Sequence, residues 1–577
     1  MVTGFIIETL ADSHLLELNI LFQIGLMIVF AGIFAFIFKL LKQPRIPAYV
    51  IAGIILGPLV LGIIESNETI LALSEIGVAF LLFFAGLEIQ LNILKRIGKT
   101  ASFIGLLEVG IMSLISFLIF GSFISNNIQL IYVALAVAFS STMVVIRSLS
   151  DKEQINTLHG RIIVGVLLIQ DLIAIAVLAL LSDSLSINSV LISLGKASLF
   201  VVFAFIVAIG SRPIFRASAK THELILIIAL AFLFLFALGA YSFGLSIAIG
   251  SFFAGVALAN STFKTEIKGL VHPLRDFFGV ILFVSLGIQL TWIPQTQWWF
   301  FVLLIFLIVF VKPILIFSLT RIIGYTNRTS FLAGNHLGQS SEFVLILITQ
   351  GLLIGHLTNE LFSVLVFSTI LTMSITGYFV SFERGMYKGY SKFARLFHKI
   401  PYKKENLIGY AGDTKKKKIV LFGAHRMGSM FLREYKGDKN EILVVDFNPE
   451  IIKYLTKKKI PCVYADYGNP EVFEMLKLIG PEIVISTIPS KEENMKIIRM
   501  VKEDGHDDKV IVVSETIHEA IDLYEHGADY VIIPKVLSGE GISEIINKIK
   551  KDNKSLRRNE INQLKKARNF MHGNGKK

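Results

Sequence analysis

The chain reads as an α-helical polytopic membrane protein followed by an α/β Rossmann-like domain. Three observations predict this. The first 385 or so of the 577 residues are a succession of long apolar segments, whereas the last third is rich in Lys, Glu and Asp. The loops between the apolar segments alternate between basic and non-basic. Residues 418–446 then run strand, glycine turn, helix, strand and terminal acid. These boundaries give a membrane domain at 1–385, a basic connector at 386–416, a nucleotide-binding domain at 417–550 and a basic tail at 551–577.

Thirteen apolar segments are expected, near 17–41, 46–64, 69–87, 101–124, 128–148, 160–182, 187–210, 222–241, 244–260, 273–290, 298–320, 329–353 and 360–382. One set of loops holds Lys42 and Arg45; Lys95, Arg96 and Lys99; Arg147 and Lys152; Arg212, Arg216 and Lys220; Lys264, Lys268 and Arg275; and Arg321 and Arg328. The opposite set holds Glu65, Glu68, Asp183, Tyr241, Trp292, Trp298, Trp299 and Glu360, with no Lys or Arg. Retention of basic loops on the cytoplasmic side puts the N-terminus outside and the C-terminal domain in the cytoplasm, in a cell inner membrane. An odd number of spans satisfies that arrangement. The N-terminus shows no basic stretch followed by a cleavage site, so no removable signal peptide is expected.

The spans repeat. Span 3 ends Leu82-Phe-Phe-Ala-Gly-Leu-Glu-Ile-Gln-Leu91 and span 10 ends Ile281-Leu-Phe-Val-Ser-Leu-Gly-Ile-Gln-Leu290, identical at five of ten positions. They lie seven spans apart, an odd number, so they cross in opposite directions, which predicts inverted repeats. The same offset pairs span 5, with Ser140, Ser141 and Thr142, and span 12, with Asn335, His336, Gly338, Gln339, Ser340, Ser341 and Glu342. Polar clusters at matching places predict two broken helices whose free backbone groups line an ion site. Small polar residues that merely glue helices together are the plainer alternative.

Span 6 carries Gln170 and Asp171 in the middle of an apolar run. An intramembrane carboxylate is costly and marks an ion or proton pathway. It binds a proton or a monovalent cation, not both fully, and such competition suffices for antiport if the site faces the two sides in turn. Lys312, followed by Pro313 on span 11, is the expected partner of Asp171 when no cation is bound, with a static structural ion pair as the alternative. Glu75 and Glu108 are expected to support or pair, Glu88 and Lys196 to snorkel, and His159 and His336 to be structural.

Gln43-Pro44, Ile55-Leu-Gly-Pro58, Phe84-Ala-Gly-Leu87, Phe139-Ser-Ser-Thr142, Gln170-Asp171 and Gly338-Gln-Ser-Ser-Glu-Phe343 together resemble the cation:proton antiporter superfamily. Gln-Asp on span 6 resembles the Kef-type potassium:proton antiporters, whereas sodium:proton relatives more often carry Asp-Asp or Asn-Asp. The resemblance implies a homodimer in which a mobile core carries the crossed helix breaks and Asp171 across the membrane as an elevator, with potassium as the transported ion.

In the C-terminal domain, Lys418–Phe422 and Ile442–Asp446 read as buried strands flanking Gly423-Ala-His-Arg-Met-Gly428, with further strands at 462–464, 483–486, 510–513 and 530–533. The turn residues Gly423, His425, Arg426, Met427 and Gly428, with Asp446 and Phe447 after the second strand, are the expected nucleotide site. The helix N-terminus takes phosphate and Asp446 a ribose hydroxyl. His425 replaces the glycine that lets a pyrophosphate approach the backbone, which favours AMP over NAD(H) as the regulatory ligand. The domain also resembles the regulator of potassium conductance family through Ala465-Asp-Tyr-Gly-Asn-Pro-Glu471, Ser486-Thr-Ile-Pro489 and Gly527-Ala-Asp529. That resemblance implies Asp466 near an adenine and Thr487 near the phosphate or ribose. The Kef-type resemblance adds glutathione as a further ligand, without residues to place it.

Many of the Lys and Arg residues behind the net charge of +12 lie in loops beside membrane spans, and the runs Lys415–Lys418 and Lys565–Lys577 suit anionic lipid. No nucleic-acid recognition motif accompanies them. Cys462 is the only cysteine, which excludes an intrachain disulfide or a cysteine-rich metal site. A sodium:proton antiporter is the alternative within the class. A ligand-gated potassium channel is the alternative outside it, opposed by the absence of a Thr-Val-Gly-Tyr-Gly-like filter. A nicotinamide oxidoreductase lacks an evident redox partner and an intact glycine fingerprint.

Overall fold

The computed structural model describes residues 20–41, 43–88, 91–152, 154–155, 157–180, parts of 195–210, 221–259, 261, 263–394, 417–464, 480–503 and 508–536. They fall into two compact units, the membrane part and the chain from Tyr402 onward.

The membrane unit is helical: α1 (Ile20–Leu40), α2 (Arg45–Leu56), α3 (Glu68–Glu88), α4 (Leu91–Phe120), α5 (Asn127–Ala138), α6 (Thr142–Asp151), α7 (Leu158–Leu180), α8 (His222–Ser242), α9 (Ile247–Leu258), α10 (Lys264–Ile288), α11 (Trp298–Phe306), α12 (Lys312–Ile323), α13 (Asn327–Leu337), α14 (Glu342–Leu353), α15 (Asn359–Ser381) and α16 (Glu383–Ala394). Among the described residues, twelve of the thirteen expected spans are helical; the seventh, with Asp183 and the 212–220 loop, lies largely outside them. Among the described residues, nine stretches are long and apolar enough to cross a membrane. Of α1 only Met27 and Ala31 are buried, as suits a helix apolar all round that faces lipid.

Helix lengths carry the repeat further than the sequence did. Both α1 and α8 have 21 residues, α2 and α9 have 12, and α7 and α15 have 23. The short helices share Ala-Gly at their eighth and ninth positions, Ala52-Gly53 and Ala254-Gly255. Those glycines sit at two equivalent crossings. A Cβ on Gly53 would lie 2.8 Å from Gly287 Cα of α10, and one on Gly255 would lie 2.9 Å from Gly86 Cα of α3. Backbone meets backbone there, and only glycine fits.

Both predicted breaks are present. The α5–α6 pair is interrupted at 139–141 and the α13–α14 pair at 338–341. Each second half restarts on a serine cap: Ser141 Oγ accepts from Val144 N and Ser341 Oγ from Phe343 N. Between α11 and α12 the chain widens into a π-turn, Leu307–Val311. Pro313 explains it, because proline cannot donate to the preceding turn and its ring displaces a carbonyl. Lys312 emerges from this widened turn fully buried.

The C-terminal unit is a six-stranded parallel sheet: β1 (Ile419–Phe422), β2 (Ile442–Asp446), β3 (Cys462–Tyr464), β4 (Ile483–Ser486), β5 (Lys509–Val513) and β6 (Tyr530–Ile532), in the order β3-β2-β1-β4-β5-β6. Helices α17 (Arg426–Glu434), α18 (Pro449–Lys457), α19 (Lys491–Glu503) and α20 (Ile517–Glu525) complete it. Alternate strand residues enter two cores. Val420, Phe422, Leu443 and Val445 face one, and Ile419, Leu421, Ile442, Val444 and Cys462 face the other. A sheet covered on both faces needs continuously apolar strands, which is what made them legible. Cys462 is thus a packing residue.

Candidate functional site

The two helix breaks meet and exchange hydrogen bonds. Ser140 Oγ donates to Leu337 O at 2.8 Å, and Ser340 Oγ donates to Ala136 O at 2.7 Å. The amide of Ser140 donates to Gln170 Oε1 of α7 at 3.0 Å, and that of Ser340 to Thr372 Oγ1 of α15 at 3.2 Å. Each break is thus braced by the helix that follows it in its own repeat. Thr369 and Thr376 add bonds to Ser340 Oγ and Gly338 O. These three threonines were missed in the sequence. Their spacing of three and four residues along an apolar span was the available signal, since it puts them on one helix face.

The repeats differ in where the carboxylates stand. In the first, Thr142 begins the half-helix and Asp171 stands on α7. In the second, Glu342 begins the half-helix, and Met373, the residue after the Gln170 counterpart Thr372, stands on α15. Both acids therefore converge on the N-terminus of α6. Thr142 Oγ1 donates to Asp171 Oδ1 and Oδ2 at 3.0 and 2.9 Å. Glu342 accepts from Ser141 Oγ, and from Met143 N at 3.0 Å. A helix N-terminus carries partial positive charge and favours such anions.

Lys312 is placed differently from the expectation. Its ammonium donates to Phe139 O and Gln339 O, each at 2.9 Å, at the carbonyl ends of α5 and α13. No ion pair joins it to Asp171 among the described residues. Two half-helix C-termini present negative partial charge together, and the buried ammonium is drawn there rather than to Asp171. The carboxylate in its electrostatic reach is Glu108, fully buried on α4, whose Oε2 accepts from Gln170 Nε2 at 2.7 Å. Glu108 thus supports Gln170, as expected of it. The Gln339 side-chain amide is buried with no hydrogen-bond partner among the described residues.

Asp171 and Thr142 are half-buried, whereas Ser140, Ser141, Gln170, Lys312, Gln339 and Glu342 are buried. The open surface continues along α6 through Met143, Ile146 and Arg147. Among the described residues Asp171 is held only by the neutral Thr142 hydroxyl, and it lies beside an open flank. A carboxylate so placed can take up a proton or coordinate a monovalent cation together with Glu342, Ser141 and Thr142.

In the C-terminal unit, Gly423 takes φ +83° directly after β1, and a Cβ on Gly428 would fall 2.0 Å from Gly423 O. These are the tight-turn and close-packing roles of the glycine fingerprint. β1 and β4 are adjacent, so the strand order reverses between them, and Thr487 follows β4 at that switch point. Its hydroxyl donates to Gly423 O at 3.0 Å. Asp446 Oδ2 accepts from Ala424 N and Oδ1 from Asn448 N, both at 2.7 Å. Burial pushes the Asp446 carboxyl above the usual carboxylate range, against the opposing pull of those two amides. The acid thus braces the turn from beneath. His425 is exposed, Met427 and Phe447 are half-buried, Arg426 opens α17, and Asp466 lies outside the described residues.

Crossed half-helices at matching places in two inverted repeats, with acids at the crossing, define an inverted-repeat membrane protein of the ion-pathway class. Residues 25–382 match the family described as sodium/hydrogen exchanger, transmembrane, and the chain belongs to that family. Residues 419–534 match the TrkA-N domain, which gives the Kef-type arrangement of exchanger domain followed by Rossmann-like domain. The chain is 29% identical over 378 residues to K(+) efflux antiporter 5 of Arabidopsis thaliana, covering 62% of this chain and 66% of that protein. It thus spans a little under two thirds of that relative's length. It is 25% identical over 497 residues to the glutathione-regulated potassium-efflux system protein KefC of Escherichia coli, covering 83% of this chain and 77% of the relative. Among solved structures, the sodium proton antiporter MjNhaP1 of Methanocaldococcus jannaschii matches at 18% identity, with a TM-score of 0.46 over 63% of this chain and 96% of that one.

Proposed function

We propose that the protein exchanges potassium for protons across a cell inner membrane, with Asp171 as the group for which the two ions compete. The observation that carries this reading is the Asp171 carboxylate, held by one threonine hydroxyl and free of the buried lysine. A carboxylate locked to Lys312 would first have to be released. This one needs only to lose a proton. Lys312 braces the α5 and α13 carbonyl ends, and Gln170 joins the first break to Glu108. The open flank of α6 runs toward Arg147 and Lys152, the predicted cytoplasmic side, so this conformation is read as inward-facing. Alternation by an elevator movement within a homodimer follows from the family resemblance. Potassium rather than sodium follows from Gln170 before Asp171 and from the relatives' printed names.

The TrkA-N domain is read as a regulatory sensor for an adenine nucleotide, AMP ahead of NAD(H), through the Gly423–Gly428 turn. Asp446 has remaining lone pairs for a ribose hydroxyl once the turn opens. Glutathione is the further ligand to test, given the relative's name. Proton flux in liposomes under gradients of potassium, sodium and rubidium tests the exchange reading. Flux that follows sodium alone would overturn the choice of cation, and flux that follows none of them would overturn exchange.

A further inference from the structure

Glu383 opens α16, the helix that leaves the bundle after the last span, yet its side chain is only 7% exposed. Its Oε1 pairs with Lys152 Nζ at 2.8 Å, and the same ammonium donates to Val380 O at 2.5 Å. Its Oε2 faces His336 Nε2 at 3.7 Å, and neither atom has a hydrogen-bond partner among the described residues. The other ring nitrogen of His336 meets Leu332 O at 3.0 Å. The two partners are placed tellingly. Lys152 follows α6, a helix of ten residues whose opposite end holds Asp171 through Thr142. At about 1.5 Å per residue the two ends are roughly 15 Å apart on one rigid rod. His336 is the penultimate residue of α13, whose Leu337 carbonyl holds Ser140 and after which Gln339 holds Lys312. Further along α16, Tyr390 stacks on Phe331 of α13 at 5.3 Å and meets Phe317 of α12 at the same distance.

We infer that Glu383 is a positioning residue for transport: its carboxylate clasps α16 to the far end of α6 and to the break-side end of α13, so that a pull on α16 shifts both half-helices at the ion site. This rests on the exchange and regulation reading above. A buried carboxylate at a helix start is costly unless its charge is used, and here it joins three elements that hydrophobic packing alone would leave free to slide.

The test uses the full chain in liposomes and nanodiscs. Glu383→Gln keeps the shape and removes the charge, while Glu383→Asp keeps the charge. Glu383→Gln should lower the maximal potassium-driven proton flux about tenfold, the worth of one charge-assisted bond. The half-saturating potassium concentration should stay within about twofold, because the ion site itself is untouched. Glu383→Asp should recover most of the lost flux. Amide exchange of 143–151 and 331–337 should rise at least about fivefold in the Gln variant and not in the Asp variant. Wild-type flux and protection in Glu383→Gln would overturn the inference. So would a half-saturation that rises in step with the lost flux, since that would place Glu383 in the ion path. Absence of flux in the unmodified protein would instead defeat the exchange reading, and the amide-exchange arm would then decide the clasp alone.

Discussion

At the scale of single residues, Asp171 and Lys312 take separate partners, a threonine hydroxyl for the acid and two backbone carbonyls for the lysine. The sequence shows two costly charges and suggests that they meet, because it cannot show where backbone carbonyls point. The bonds from Lys312 to Phe139 O and Gln339 O depend on two chain breaks lying against each other, which no side-chain pattern encodes. Asp171, Gln170 and the Ser-Ser pairs were legible because polar groups inside apolar runs stand out. Replacing Lys312 with Met should bare two buried carbonyls, at about 1–3 kcal/mol each, and lower thermal stability measurably in detergent. Lys312→Met with unchanged stability and unchanged flux would contradict its assigned place. Asp446→Asn turns an amide group toward a backbone N–H that now donates to a carboxylate oxygen, and should destabilise the C-terminal unit by about 1–3 kcal/mol. A melting curve of the whole protein followed by a probe in that unit checks this.

At the scale of elements, the inverted repeat explains both the strengths and the gaps of the sequence reading. Repeated motifs at the ends of spans 3 and 10 gave the symmetry away. The matching Ala-Gly pairs on α2 and α9 passed unnoticed, since two small residues in an apolar helix carry little signal until their crossings with α10 and α3 are seen. Those crossings predict symmetric sensitivity. Gly287→Ala would place a Cβ 2.1 Å from Val50 O, and Gly255→Ala would place one 2.0 Å from Phe83 O. Each should cost about 1–3 kcal/mol through forced separation of packed helices, seen as a lower melting temperature. If only one of the two is destabilised, the crossings are not equivalent.

At the scale of the whole molecule, an exchanger domain is joined to a TrkA-N domain in one chain. A ligand alters transport only if it binds one transport state more tightly than another. Calorimetry on the full chain should therefore show AMP binding more tightly than NAD, since the exposed His425 stands where a pyrophosphate needs bare backbone. Tighter NAD binding would reverse the ligand assignment. Removal of residues 405–577 should abolish any effect of nucleotide on flux while leaving exchange itself intact. Asp171 as the exchanging group is tested by potassium-driven proton flux in liposomes holding either the unmodified protein or Asp171→Asn, both verified as folded. Robust flux is expected in the first and none in the second. Retained potassium-driven flux in Asp171→Asn would contradict that assignment.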